Sequence, residues 1–272
     1  MAETLALLTA LCYALAAVLQ HREAVGERGL LALLKKPWWH VGLAINALGS
    51  GFQAIALHIG ELSAVQPLLV TAIVFSLLTN ALMRREWPGA AEWLGVAAVS
   101  LGLTVFLSAT RPTPGTHVPT AAEWATAISA TCASAAGCVL LARLRWPASF
   151  LGAAAGILFG LSAALIKATA DLVAVQGAAA LLSWIPVAMA AITLAAFYML
   201  QRAFQGGDLV SSWPTLNALD PFCATLLGMY LYGERLQGGP QTVALALAAV
   251  AVTIWGLIRL AGSPLVEPKE VL

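Results

Sequence analysis

One carboxylate stands deep inside an apolar stretch of this chain: Asp220, within LVSSWPTLNALDPFCATLLGMYLY, residues 209–232. It lies 11 residues from one end of that stretch and 12 from the other. A charge at the middle of a bilayer costs roughly 2.5–3.5 kcal/mol on insertion scales. A carboxylate kept at that depth points to ion coupling or substrate binding. Its neighbour Pro221 has no N–H for the carbonyl of Asn217 one turn back, which sets a second oxygen acceptor beside the carboxylate. Pro214, after Ser211 and Ser212, repeats the device, so Pro214 and Pro221 are both expected to break the helix. The plainer reading is a protonated Asp220 hydrogen-bonded to a neighbouring helix.

Other polar groups are placed where they could join it. Asn46, Ser50 and Gln53 recur at near-helical spacing, and Thr71 and Asn80 lie in the next span. Such residues line a cavity or hold helices together, each such bond contributing about 0.6 kcal/mol. Lys167 and Asp171 are four apart and can meet on one helix face. They form a surface pair, or Lys167 turns inward as counter-charge to Asp220, which would favour an anionic or zwitterionic solute. Glu61 and Asp208 begin two equivalent spans, where they act as gates or as acidic groups favoured by a helix N-terminus. Glu86 and Glu234, at the far ends of the same spans, are expected to be interfacial anchors or gate partners of Arg85 and Arg235.

Several chemistries are not supported by the sequence. Phosphate-cradling glycine loops, HExxH and a nucleophile with a base are missing, so no enzyme is expected. Cys12, Cys132, Cys138 and Cys223 lie in apolar spans without ligand spacing and read as packing groups. His21, His40, His58 and His117 all fall near span ends. No metal site or cofactor is called for, beyond a coupling proton or cation.

The elements that carry these residues are membrane helices. Of 272 residues 60% are hydrophobic and only 10% charged, with mean hydropathy +0.86. Soluble domains carry about 25% charged residues, and the deficit here runs along the whole chain. A net charge of +1 leaves no basic face for nucleic acid. With roughly 20 apolar residues per crossing, nine spans are predicted: 3–20, 38–58, 62–83, 91–109, 121–142, 148–171, 178–200, 209–232 and 240–261. The first opens MAETL, with an acid and no basic region, and is expected to be retained as a helix rather than cleaved as a signal. Eleven of the 14 Lys and Arg residues fall on one side, Arg111 and Arg235 on the other, and Lys167 inside a span. Basic loops stay cytoplasmic, which puts the N-terminus outside and the C-terminus inside. Trp38, Trp39, Trp87, Trp93, Trp146, Trp213 and Trp255 at predicted inner ends, with Trp124 and Trp184 at outer ends, give the same map.

The chain is also duplicated. Residues 56–86, ALHIGELSAVQPLLVTAIVFSLLTNALMRRE, return about 147 positions later: Gly60 falls on Gly207, Glu61 on Asp208, Leu62 on Leu209, Pro67 on Pro214, and Glu86 within one position of Glu234. YALAAVLQH from Tyr13 likewise matches FGLSAALIK from Phe159. Five crossings separate the copies, so they run in opposite senses. The expected fold is all-α and integral to the membrane, with two inverted four-helix repeats at 1–110 and 147–262. A linker helix occupies 111–146 and a cytoplasmic tail 263–272. Pro67 is expected to break its span as Pro214 breaks the counterpart. Gly152, Gly156 and Gly160 make a GxxxGxxxG stripe suited to a close helix contact.

The order WW-x₂-G at Trp38–Gly42, Q-x₂-AL at Gln53–Leu57, VQP at Val65–Pro67 and glutamate at Glu86 resembles the NIPA-type branch of the drug/metabolite transporter superfamily (DMT, EamA-like). Gln201, Ala203, Pro214 and Glu234 fit the second half. The resemblance covers most of residues 3–261. It implies a 4+1+4 helix arrangement, alternating access and, for that branch, magnesium or other divalent cations. Asp220–Pro221 is not part of that branch pattern and belongs to this chain. The expected function is therefore transport of a small polar metabolite or drug across a bacterial plasma membrane, centred on Asp220, Asn217, Gln53, Asn46 and Lys167. A divalent cation transporter is the alternative from the resemblance. A non-transporting membrane subunit that recruits an envelope enzyme is the alternative from another class. Expected partners are the solute, membrane lipid and a second copy or partner membrane protein.

Overall fold

A computed structural model of the protein describes residues 1–24, 33–85, 87–110, 113–144, 147–205 and 209–261. Nearly all of these are helical. The helices are α1 (Ala2–Ala24), α2 (Pro37–Ile59), α3 (Leu62–Leu69), α4 (Ala72–Arg84), α5 (Ala90–Thr110), α6 (Ala121–Ala142), α7 (Pro147–Gln176), α8 (Trp184–Gln205), α9 (Leu209–Tyr232) and α10 (Pro240–Ala261). A 3₁₀ turn, Gly177–Leu182, joins α7 to α8. Among the described residues no strand forms, only one isolated bridge between Thr113 and Arg235. Eight stretches there are long and apolar enough to cross a membrane, and α9 adds a helix of 24 residues. The chain is a multi-pass membrane protein.

The two spans expected to break at prolines behave differently. The span at 62–83 is interrupted at Val70 and Thr71, between α3 and α4. The span at 209–232, expected to break at Pro214 and Pro221, runs as one uninterrupted helix. A proline deletes one backbone bond, and neighbouring helices in a membrane can hold the backbone in place around the gap. Here α7 lies directly on α9. A Cβ added at Gly156 would come within 2.7 Å of the Leu216 carbonyl, and one at Gly160 within 2.9 Å of the Asp220 carbonyl. The glycine stripe of α7 therefore braces the turn that carries Asp220 and Pro221.

The helices pair in a regular way. α1 lies along α2 and α7 along α8, α4 and α3 touch α1, α9 touches α7, and the two halves meet where α3 crosses α9 and α5 crosses α10. The main core gathers Leu57, Leu62, Leu161, Leu165, Leu231 and Tyr232 near the end of the bundle where the chain begins. A second core, with Ile73, Leu77, Val99 and Leu257, fills the seam of α4, α5 and α10.

Backbone contact at Gly156 makes a prediction. Gly156→Ala is expected to destabilise the protein, because the atoms it meets belong to the Leu216 main chain and cannot rotate away, and Gly156→Val more so, by about 1–3 kcal/mol. Gly137→Ala, at a position where an added Cβ meets nothing within 4 Å, should leave thermal unfolding in detergent unchanged. Equal melting of the Gly156 and Gly137 variants would contradict the contact.

Candidate functional site

Both halves contribute to one polar centre. Tyr13, on α1, donates its hydroxyl to Gln53 Oε1 at 2.6 Å and meets Ser50 Oγ at 3.1 Å, both on α2. The Ser50 hydroxyl also donates to the Asn46 carbonyl at 3.1 Å. Tyr13 packs on the small cluster of Ala10, Ala14 and Ala72, the last at the start of α4. From the other half, Asp220 lies near enough for its charge to act on Tyr13 and on Cys223. Its Oδ1 is buried without a hydrogen-bond partner. Asn217, one turn away on α9, is buried at 8% exposure.

The break in the third span sits at the same depth. Pro67 and Val70 share the wall of one cleft with Asn217 and Pro221. Pro67 has no N–H for the carbonyl one turn before it, and the chain tightens after it into i→i+3 bonds. Val70 N–H donates to Pro67 at 3.2 Å, Thr71 N–H to Leu68 at 3.1 Å and Ile73 N–H to Val70 at 3.2 Å. The Thr71 hydroxyl adds a bond of 2.6 Å to Leu68. In an unbroken α-helix the Val70 and Ile73 donors would go to the carbonyls of Gln66 and Leu69. Both carbonyls lose them at this turn. Gln66 itself is 1% exposed, and neither its amide oxygen nor its amide nitrogen has a partner.

A clasp of two charged groups closes the end of the bundle where the chain begins. Gly233, with φ 67°, turns the chain back after α9 in a conformation that suits glycine. Glu234 is thereby buried, 3% exposed, and accepts the N–H groups of Leu62 at 2.7 Å and Ser63 at 2.9 Å. Lys167, on α7, donates to the carbonyls of Leu57 at 2.6 Å and Gly60 at 2.9 Å. An anion thus sits on the N-terminus of α3 and a cation on the C-terminus of α2, each matching the helix dipole. Tyr232 lies beside Lys167. Its ring lies 5.4 Å from the Lys167 ammonium and its hydroxyl donates to Ala164 at 2.6 Å. Trp124 stands edge-on to Tyr232 and to Trp184.

The placement corrects three expectations. Lys167 neither pairs with Asp171 nor faces Asp220. It lies two turns along α7 from Gly160, the residue against Asp220, because the carbonyls ending α2 are its nearest acceptors. Asp171 instead meets His58 Nδ1 at 2.7 Å, with both side chains largely exposed. Glu61 occupies the N-cap of α3 but makes no side-chain cap, since Glu234 has taken its donors. Glu234 in turn holds backbone N–H groups rather than Arg235, which exchanges backbone bonds with Thr113, in the segment between α5 and α6. Glu86 and Asp208 lie outside the described residues, as do the side chains of Asn80 and Pro214. Gln53 is held by Tyr13, Asp220 and Asn217 lie one turn apart on α9, and Asn46 is two turns from Gln53 along α2.

Tyr13 and Gln66 are the central residues not singled out from the sequence. The signal for Gln66 was present, an amide just before the proline of VQP. Among the described residues no group of three or more His, Cys, Asp and Glu is placed to hold a metal ion. Beside the centre, between α5, α9 and α10, opens a mostly apolar cleft of about 290 Å³ with Asn217 in its wall.

The chain is 31% identical to an uncharacterized protein of Corynebacterium glutamicum over 246 residues, which covers 85% of this chain and 84% of that protein. It belongs to the same family as that protein. No family model matches the chain, and no solved structure matches it.

Proposed function

We propose that this member of the corynebacterial protein's family is an alternating-access transporter of a small polar metabolite or drug, in which Asp220 takes up one positive charge during the cycle. The observation that carries the reading is the buried, unpartnered Oδ1 of Asp220 where the two halves meet. Among the described residues no basic side chain pairs with that carboxylate, so the compensating charge comes from outside the protein. An isolated carboxylate inside a membrane is costly, and a guest that neutralises it gains that cost back. Asn217, one turn from Asp220, with Gln66 and the bonded group of Tyr13, Ser50 and Gln53 on the other half, are neutral groups suited to hydrogen-bonding a polar solute.

The pairings α1–α2 with α7–α8, and the self-pairings α3–α9 and α5–α10, follow the internal duplication and fit two inverted repeats around a central site. On this reading the clasp of Lys167 and Glu234 is the closed outer mouth, and Glu86, aligned with Glu234 by the duplication, serves the opposite end. The N-terminus is outside and the membrane is the bacterial plasma membrane. Magnesium asks for near-octahedral oxygen coordination, and one carboxylate among amides and hydroxyls suits a single charge better.

The test is electrical. Proteoliposomes on a solid-supported membrane are challenged with a panel of amines, amino acids and nucleosides. At least one class should evoke a transient current that protein-free liposomes lack. Silence across the whole panel, with correctly inserted protein, would contradict transport of a small polar solute.

A further inference from the structure

We infer that the interrupted turn between α3 and α4 is a binding site for a monovalent hard cation, sodium, held by the Asp220 carboxylate, the Gln66 amide oxygen and the carbonyls of Gln66 and Leu69. This names the charge that Asp220 takes up, and so rests on the reading of Asp220 as the coupling group.

Three independent observations converge on one depth in the membrane. The first is Asp220, with a buried oxygen that no group satisfies. The second is Gln66, 1% exposed, whose amide is unpartnered at both ends. Buried polar side chains are nearly always hydrogen-bonded, so two orphans on the crossing helices α3 and α9 mark a place built for a guest. The third is the backbone: Val70 and Ile73 donate to Pro67 and Val70, which strips the Gln66 and Leu69 carbonyls of their helical donors. The packing brings these groups together. α3 crosses α9, and Tyr13 packs on the cluster that includes Ala72, just after the break. Pro67 and Val70 line the same cleft as Asn217 and Pro221.

The donor set selects the ion. All of it is oxygen, which favours hard cations over soft ones, and it carries one negative charge. A divalent ion would leave a net positive charge buried in the bilayer, whereas a sodium ion leaves none. Unwound carbonyls beside a carboxylate at mid-membrane are a known way to strip such an ion of water.

The full-length protein in detergent is tested for binding of radioactive sodium and for thermal unfolding in sodium, potassium or choline chloride at equal ionic strength and fixed pH. Saturable sodium binding is expected, together with a melting temperature about 3 °C or more above that in choline. Both effects should vanish in Asp220→Asn and in Gln66→Met, the latter nearly isosteric and without the amide oxygen. Gln20→Met, at a buried glutamine near the far end of α1 and outside the proposed site, should keep the sodium response and controls for a general loss of packing. Equal melting in sodium and choline, with no saturable binding, would overturn the sodium site. If the protein were then stabilised by acid through Asp220 alone, the carboxylate takes a proton instead, and the transport reading would stand without this ion. Binding is read with no solute present, so its outcome is separate from that of the current assay.

Discussion

Asp220→Asn is expected to abolish solute-evoked current while leaving a protein that is more stable, not less. The two effects have one cause. A carboxylate that binds a positive charge contributes a charge-assisted contact of roughly 1.5–3 kcal/mol. At 1.4 kcal/mol per factor of ten, its loss weakens binding of the coupled species by roughly 10- to 150-fold. The same carboxylate is costly in the unloaded protein, by about 2.5–3.5 kcal/mol on insertion scales, and asparagine removes that cost at nearly constant shape. Thermal unfolding in detergent without added solute or sodium should therefore shift upward in the variant, with expression unchanged. A structural carboxylate predicts the reverse, because asparagine would weaken a bond that the fold needs. Unchanged current with lowered melting would assign Asp220 to packing.

Glu234→Ala is the second large effect, and it acts on the fold. Its carboxylate satisfies two backbone N–H groups at the buried start of α3. Removing it strands both donors, at about 1–3 kcal/mol each, so a loss of roughly 2–6 kcal/mol is expected. Glu234→Gln keeps one oxygen acceptor and should fall between. Arg235→Ala, at an exposed side chain, should stay within about 0.5 kcal/mol of the parent. If Glu234 were the gate partner of Arg235, the alanine variants at the two positions would behave alike. Thermal unfolding of the three proteins separates the cases.

The helical membrane architecture was readable because composition and span length act locally, and the predicted spans are helical over most of their length, that at 62–83 as two helices. Asp220 was readable for the same reason, since a lone acid in an apolar run needs no neighbour to stand out. The partners were not. Glu234 and Lys167 bond to backbone atoms at the ends of α2 and α3, more than 100 positions away in sequence, and no side-chain pattern announces a backbone acceptor. Local spacing favoured Lys167 with Asp171 and Glu234 with Arg235, and tertiary contacts overrode both. The proline rule succeeded at Pro67 and failed at Pro221 because it concerns a single helix. At Pro221 the backbone of α7 lies against the same turn and holds it straight. Tyr13 escaped notice as an ordinary aromatic in an apolar helix, and only its bonds to Gln53 and Ser50 reveal its place.

The central claim is that the site around Asp220 meets each side of the membrane in turn. With Cys12, Cys132, Cys138 and Cys223 replaced by alanine, Ser50→Cys would report on it through a membrane-impermeant thiol reagent added to one side of oriented vesicles at a time. Alternating access predicts labelling from either side, with saturating solute changing the two rates in opposite directions. Labelling from one side only, or from neither, under every condition would contradict it.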